Sequence, residues 1–235
     1  MFTFTRLSPA TSRDHVLVGL SPMNGRYTPE YIRKLIYWLQ PRFRSIDVIL
    51  PGFEAAYTLV AAGQPPTQAV RRARRACRQV RNPAVQALAD LGVPDAARHV
   101  TSWTRLHANA TYRAALIHSR RAYLTDSRIR RACRDMTGEV VRNAAAGGRE
   151  IDAADIDIAV RYVIAEIPLF IHGPSLFGAT ESVFVYHRPT PLVTAIASGD
   201  CILTAEPGQS WAVVTEEENN HGRTGTSAAL PVPSR

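Results

Sequence analysis

Lysine is nearly absent from this 235-residue chain: Lys34 stands alone beside 27 arginines. Cysteine is scarce too. Cys77, Cys133 and Cys201 are odd in number and far apart, which excludes a disulfide framework and a zinc-ligand spacing and fits a reducing cytoplasm. Long apolar runs are missing. Stretches such as Val16-Leu17-Val18 and Val48-Ile49-Leu50 fall far short of the ~18 residues that mark a membrane span. The first residues, Met1 to Arg13, have no continuous apolar core before a small-residue cleavage site, so no secretory leader is expected. No internal repeat is visible, which excludes solenoids and propellers.

What is present points to an ordinary globular enzyme or binding protein. The hydrophobic fraction is 46 % and the charged fraction 20 %, which excludes a wholly disordered chain and suffices for a sizeable core. The formal net charge is +8. Because arginine binds phosphate through two parallel hydrogen bonds, a polyanionic partner is one explanation. An arginine-rich proteome would produce the same skew, and composition does not separate the two.

Residues 15–20 read as a short buried strand followed by a turn at Ser21-Pro22-Met23-Asn24-Gly25. Thr28, Pro29 and Glu30 then supply an N-cap, an N1 proline and a first-turn acid for a helix running to Gln40. Ile46 to Leu50 is a second strand. Two strands apolar on both faces, joined by a helix, predict a parallel sheet in an α/β domain, with ligands at the carboxyl ends of its strands. Downstream, helices are expected over 54–62, 67–81, 83–91, 108–124 and 127–145, the last ended by Gly147-Gly148. Another runs over 152–167, capped by Asp152 with Asp155 and stopped by Pro168. Ser182 to Tyr186 returns to a strand, with further strands at 201–204 and 211–214. Residues 1–215 are expected to form a single domain and 216–235 a disordered tail.

Three groups of residues could carry chemistry. On the 67–81 helix, Arg71, Arg74, Arg75, Arg78 and Arg81 fall within an arc of about 120° at 100° per residue, with no carboxylate among them. Such a face is either simply solvated or made for a nucleic-acid backbone. Ser21, just past a buried strand, is exposed for attack or is merely a turn residue. It is not the nucleophile elbow of the α/β-hydrolases, because Met23 stands where that motif needs glycine, and no His–Asp pair is evident nearby. Tyr162 and Glu166, four apart, share one face of an otherwise apolar helix, where a carboxylate either reaches solvent or binds a cation such as a substrate ammonium.

Taken in order, Gly19-x-Ser21-x-x-Asn24, Tyr162-x-x-x-Glu166 and Tyr186-His187 resemble the cyclodipeptide synthases, from about His15 to about Pro191. The pattern is similar to the subgroup marked by Asn, Tyr and His. Gly25-Arg26 departs from the small-then-aromatic pair common after the asparagine. The resemblance implies a Rossmann-like parallel sheet flanked by helices, similar to the catalytic domain of class I tyrosyl- and tryptophanyl-tRNA synthetases. No HIGH- or KMSKS-type ATP signature is present, Ile171-His172-Gly173 being a partial match in the wrong place. It further implies an aminoacyltransferase that draws on two aminoacyl-tRNAs per product, with no cofactor or metal; a monomer is expected because no long apolar surface stripe is visible, and the cytoplasm from the cysteine usage. Ser21 would carry the aminoacyl and then the dipeptidyl group. Tyr162 and Glu166 would hold the α-ammonium, and Tyr186 would relay the proton in ring closure. Asn24 and His187 would shape the loop, Leu17 and Gly19 would line the first amino-acid pocket, and the arginine face would bind tRNA. An apolar first residue is expected. A serine hydrolase, a non-catalytic RNA-binding module and a remnant synthetase are the competing expectations.

Overall fold

The structure is a computed structural model that describes residues 2–7, 13–145 and 149–216. Its strands are β1 (Phe2–Arg6), β2 (His15–Gly19), β3 (Ser45–Leu50), β4 (Val100–Ser102), β5 (Ser182–Tyr186) and β6 (Gln209–Glu216). The helices are α1 (Pro29–Leu39), α2 (Ala55–Ala61), α3 (Pro66–Asp90), α4 (Trp103–Leu106), α5 (Ala110–Thr125), α6 (Ser127–Ala144), α7 (Ala153–Ile171), α8 (Gly173–Phe177) and α9 (Pro191–Ala197). Among the described residues the strands form one sheet in the order β1-β6-β5-β2-β3-β4. β2 to β6 run parallel, and β1 joins the edge antiparallel to β6. From β2 the chain steps outward to β3 and β4, then returns across β2 to place β5 on its other side. The connection order therefore reverses between β2 and β5, and their carboxyl ends flank the crevice where such sheets bind ligands.

The expected parallel α/β sheet is present, and its central strands are apolar on both faces because helices cover both. Val16, Val18, Val48, Val183 and Val185 pack on one side with Ile32, Leu35, Ile36 and Leu39 of α1 and Val80, Ala84 and Leu88 of α3. Leu17, Ile49 and Phe184 point the other way, into a core with Tyr112, Ile129, Ile167 and Phe170. Each such buried side chain contributes roughly 1.5–3 kcal/mol by leaving water. Thr28 caps α1 by accepting from the Tyr31 N–H, and Asp152 and Asp155 form the reciprocal capping box of α7.

Several boundaries differ from expectation, each for a tertiary reason. The 67–81 and 83–91 segments are one helix, α3, running through Pro83. The proline deprives only the exposed Gln79 carbonyl of its partner, while Val80, Ala84, Ala87 and Leu88 stay seated in the core. Pro168 likewise does not stop α7, which continues to Ile171. Every residue from Val163 to Ile171 is buried, and the Tyr112 hydroxyl donates to the Ala165 carbonyl beside the break at 2.8 Å. Residues 201–204 form no strand. Glu216, expected to begin a tail, instead ends β6 opposite Phe2. Residues 217–235, like Gly147-Gly148, lie outside the described residues.

At the amino ends of the parallel strands a polar clamp ties three of them. His15 Nδ1 lies 2.8 Å from Ser182 Oγ, and its Nε2 lies 3.2 Å from Asp47 Oδ2. His99 reaches the other Asp47 oxygen at 3.2 Å. In this serine–histidine–aspartate set the serine and the histidine are sealed, His15 and Ser182 being 1 % and 0 % exposed, and the set stands at the edge opposite Ser21. It holds register and offers no access to a substrate.

Candidate active site

The crevice between β2 and β5 opens into a cavity of about 400 Å³. Its wall carries Ser21 and Asn24 from the loop after β2, Tyr162 and Glu166 from α7, and Tyr186 and His187 from the end of β5. Six residues expected to act together from three distant segments therefore meet in one place. Thr58 of α2 and Met136, Glu139 and Asn143 of α6 complete much of the wall, and no local pattern in the sequence pointed to them.

Ser21 sits in a tight turn, its carbonyl accepting from the Asn24 N–H at 3.0 Å. The Asn24 side chain accepts from the Arg26 N–H at 3.0 Å, so its amide nitrogen faces His187 Nε2 at 3.2 Å. His187 Nδ1 meets the Tyr27 hydroxyl at 2.9 Å, and that hydroxyl donates to the Gly19 carbonyl at 3.1 Å. The chain of donors leaves the imidazole proton on Nδ1. Burial first, then the charges of Arg188 and Arg26, push His187 down to about 4, so it is neutral at physiological pH. His187 is thus a brace joining the Ser21 loop to β5, not a base for Ser21. Tyr27 is the member of this network that sequence reasoning missed. It is the aromatic just beyond the unusual Gly25-Arg26, and only the fold shows it buried beneath the loop.

Ser21, Tyr162 and Tyr186 line the same wall, and the Ser21 hydroxyl is near enough to both phenols to favour their ionised forms slightly. Burial, followed by the nearby Glu166 charge, raises both phenols above their ordinary value, so they remain protonated donors. Tyr162 is held from behind by Trp103, with ring centroids 4.7 Å apart. Glu166 is 8 % exposed, and burial raises its carboxyl from 4.5 to about 8. A carboxyl in that state attracts a cationic partner, which would restore its charge.

Two expected pocket residues stand behind the wall and not on it. Leu17 is fully buried in the core with Ile49, Trp103 and Phe184. Gly19 lies under two rings: a Cβ there would come within 2.8 Å of Phe184 Cζ and 3.3 Å of Tyr186 Cδ2. Gly19→Ala is accordingly expected to lower product formation at least tenfold and stability by about 1–3 kcal/mol, because the overpacked Tyr186 ring must leave Ser21. Activity and urea denaturation measured on the same variant check both. The arginine face is as expected: Arg71, Arg74, Arg75 and Arg78 are exposed on α3, opposite buried Ala73, Ala76 and Val80. Arg74, Arg78 and Arg81 line a groove with Arg105 and the ends of β3 and β4, on the same sheet edge as Ser21. Arg81 also donates to the Ala97 carbonyl at 3.2 Å. His172, of the partial ATP-site match, instead bonds Glu206 at 3.0 Å. Among the described residues no cluster of His, Cys, Asp and Glu could hold a metal ion.

The family model for cyclodipeptide synthases matches residues 2–216. The chain belongs to the cyclodipeptide synthase family. It is 34 % identical over 208 residues to the cyclo(L-leucyl-L-leucyl) synthase of Bacillus subtilis (strain 168), covering 87 % of this chain and 83 % of that one. A crystal structure of a cyclodipeptide synthase from Bacillus thermoamylovorans superposes with a TM-score of 0.87 at 28 % identity, covering 92 % and 96 % of the two chains. A Mycobacterium tuberculosis protein, whose structure is described as relating cyclodipeptide synthetases to type I tRNA synthetases, shares the fold with a TM-score of 0.79 at 24 % identity, over 92 % and 94 % of the chains. Cyclodipeptide synthases are aminoacyltransferases that take their amino acids from aminoacyl-tRNA, and this chain is such an enzyme. Among the described residues no helix is long and apolar enough to cross a membrane.

Proposed function

We propose that Ser21 is the nucleophile that carries the growing product, and that two aminoacyl-tRNAs are consumed per cyclic dipeptide. The observation that supports this most is the single cavity whose wall unites Ser21 with Tyr162, Glu166 and Tyr186. Ser21 Oγ attacks the ester carbonyl of the first aminoacyl-tRNA. A serine ester forms, the bond between the acyl carbon and the ribose oxygen breaks, and the serine proton ends on the departing ribose hydroxyl. Tyr162 and Tyr186, protonated and on the same cavity wall as Ser21, would pass that proton along.

Glu166 holds the α-amino group of the bound residue. Burial raises its carboxyl from the ordinary range toward that of an α-amino group, about 7.7–8.0, so a proton can pass between the two. The amine is then free to attack the second ester while Glu166 keeps the proton. Attack of the new terminal amine on the Ser21 ester closes the six-membered ring and restores the serine, with Tyr186 as the proton relay. Asn24 and His187 hold the loop, and Gly19 keeps Tyr186 against Ser21. An apolar first residue such as leucine suits the apolar surroundings of Glu166, and the Bacillus subtilis relative is named for leucyl groups. We take the enzyme to be a one-domain monomer acting in the cytoplasm, where charged tRNAs are found.

Mass spectrometry of medium from a bacterial host expressing the chain tests the assignment: diketopiperazine masses are expected, and they should vanish with Ser21→Ala. The unpaired arginines of α3 are proposed to bind the tRNA backbone. Replacing Arg74, Arg75 and Arg78 together by Ala should raise the apparent KM for aminoacyl-tRNA and flatten its dependence on salt. An unchanged salt slope would remove this helix from the tRNA site.

A further inference from the structure

One ion pair on the cavity wall has no task in the chemistry above. Arg188, two residues beyond Tyr186, donates from Nη1 to Glu139 Oε1 of α6 at 2.6 Å, and both residues line the cavity. The pair ties the loop after β5 to α6. The two side chains are 43 % and 50 % exposed, so neither is committed to the interior. Exposed pairs of this kind contribute at most about 1 kcal/mol, and either partner is readily exchanged.

The rest of the wall makes Arg188 distinctive. Among the described residues lining the cavity it is the one arginine or lysine. His187 beside it is neutral, held there by burial and by the hydrogen bonds to Asn24 and Tyr27. The other titratable carboxyl, Glu166, lies deep and faces the amino group. Among the described residues, the only fixed positive charge available to a substrate in this cavity is therefore the guanidinium of Arg188, now occupied by Glu139.

The substrate carries a matching group. Its reactive ester is on the 3′-terminal ribose of a tRNA, and the same nucleoside bears a phosphate on its 5′ oxygen. With the carbonyl at Ser21 and the amino group at Glu166, that phosphate must lie within one nucleoside of Tyr186, toward solvent. We propose that Arg188 binds this terminal phosphate and that Glu139 is its placeholder, displaced into solvent when the tRNA end arrives. A guanidinium fork fits a phosphate through two charge-assisted hydrogen bonds. Arg188 would then set the register of the ester over Ser21, a task distinct from that of the α3 arginines, which face a longer stretch of backbone. The assignment rests on aminoacyl-tRNA entering this cavity.

Opposite signs test it. Glu139→Gln removes the competitor and should lower KM for aminoacyl-tRNA by about 2–5-fold. Arg188→Ala should raise KM at least tenfold and reduce the slope of log KM against log salt by about 0.7, the contribution of one phosphate on a single strand. A merely structural brace moves both variants the same way and leaves the salt slope unchanged, and that result overturns the assignment. If Arg188→Ala does not fold, Glu139→Gln decides alone: an unchanged or raised KM overturns it. Arg188→Lys, which keeps the charge but not the fork, should retain the salt slope with an intermediate KM. Wild-type enzyme that makes no cyclic dipeptide from aminoacyl-tRNA would bring down the reading of the cavity itself, whereas active wild type with same-sign variants brings down only the phosphate ligand.

Discussion

Ser21→Ala is expected to reduce cyclic dipeptide formation by at least about a thousandfold, leaving only what binding and orientation supply without a covalent intermediate. The effect is large because none of the other candidate groups at the site can replace the serine. His187 is held neutral in a brace, Tyr162 and Tyr186 keep their protons, and Glu166 is a weak nucleophile facing an amine. Intact-mass measurement makes the test specific. Wild-type enzyme mixed with one aminoacyl-tRNA should gain the mass of a single aminoacyl group, and Ser21→Ala should gain none. Ser21→Cys should again be acylated, as a thioester, which a turn serine of purely structural importance would not predict. Product that persists with Ser21→Ala would end the covalent mechanism.

Glu166→Gln is expected to abolish product formation while making the protein more stable at alkaline pH. The two effects share one cause, the burial that raises the carboxyl from 4.5 to about 8. Between those values the folded protein holds the proton more tightly than the unfolded chain, so the carboxyl favours folding at low pH. That stabilisation is complete below about 4.5 and is lost as pH rises toward 8. At one pH unit per ~1.4 kcal/mol, ionising the empty site costs several kcal/mol above pH 8. Glutamine has no charge to bury. Its Tm should match the wild type near pH 4.5 and exceed it by roughly 10 °C at pH 8.5. Activity should show the complementary pattern. If Glu166 shares one proton with the α-amino group as proposed, wild-type kcat/KM is expected to be bell-shaped with its maximum near pH 8. Calorimetry at the two pH values is decisive. Equal destabilisation at both would mean that Glu166 is satisfied in the empty site.

Much of this enzyme was legible residue by residue. Thr28-Pro29-Glu30 announced a helix start, the arginines of 71–81 announced an exposed face, and both stand in the structure because caps and helical periodicity act over one or two turns. The same locality misled at Pro83 and Pro168. A missing N–H is visible in sequence, but the buried alanines and leucine of α3 and the sealed carboxyl-terminal half of α7 that outweigh it are not. Short strands failed for a related reason. The three residues of β4 earn their pairing from Val48, Ile49 and Leu50 on the neighbouring strand, not from any pattern of their own.

The chemistry divides along the same line. The sequence by itself determined which groups are available: a serine at a strand end, a tyrosine and a glutamate one helical turn apart, a Tyr-His pair, and an arginine face without acids. Their order sufficed to suggest the family. Only the tertiary structure decided what those groups do. It placed Leu17 behind the wall, turned His187 into a brace through Tyr27, and set Arg188 against Glu139. It also raised the Glu166 carboxyl to about 8 by excluding water. Residue identity and spacing are properties of neighbours along the chain. Proton affinity, solvent access and the meeting of β2 with β5 depend on which distant segments pack together, and they exist only once the sheet is assembled.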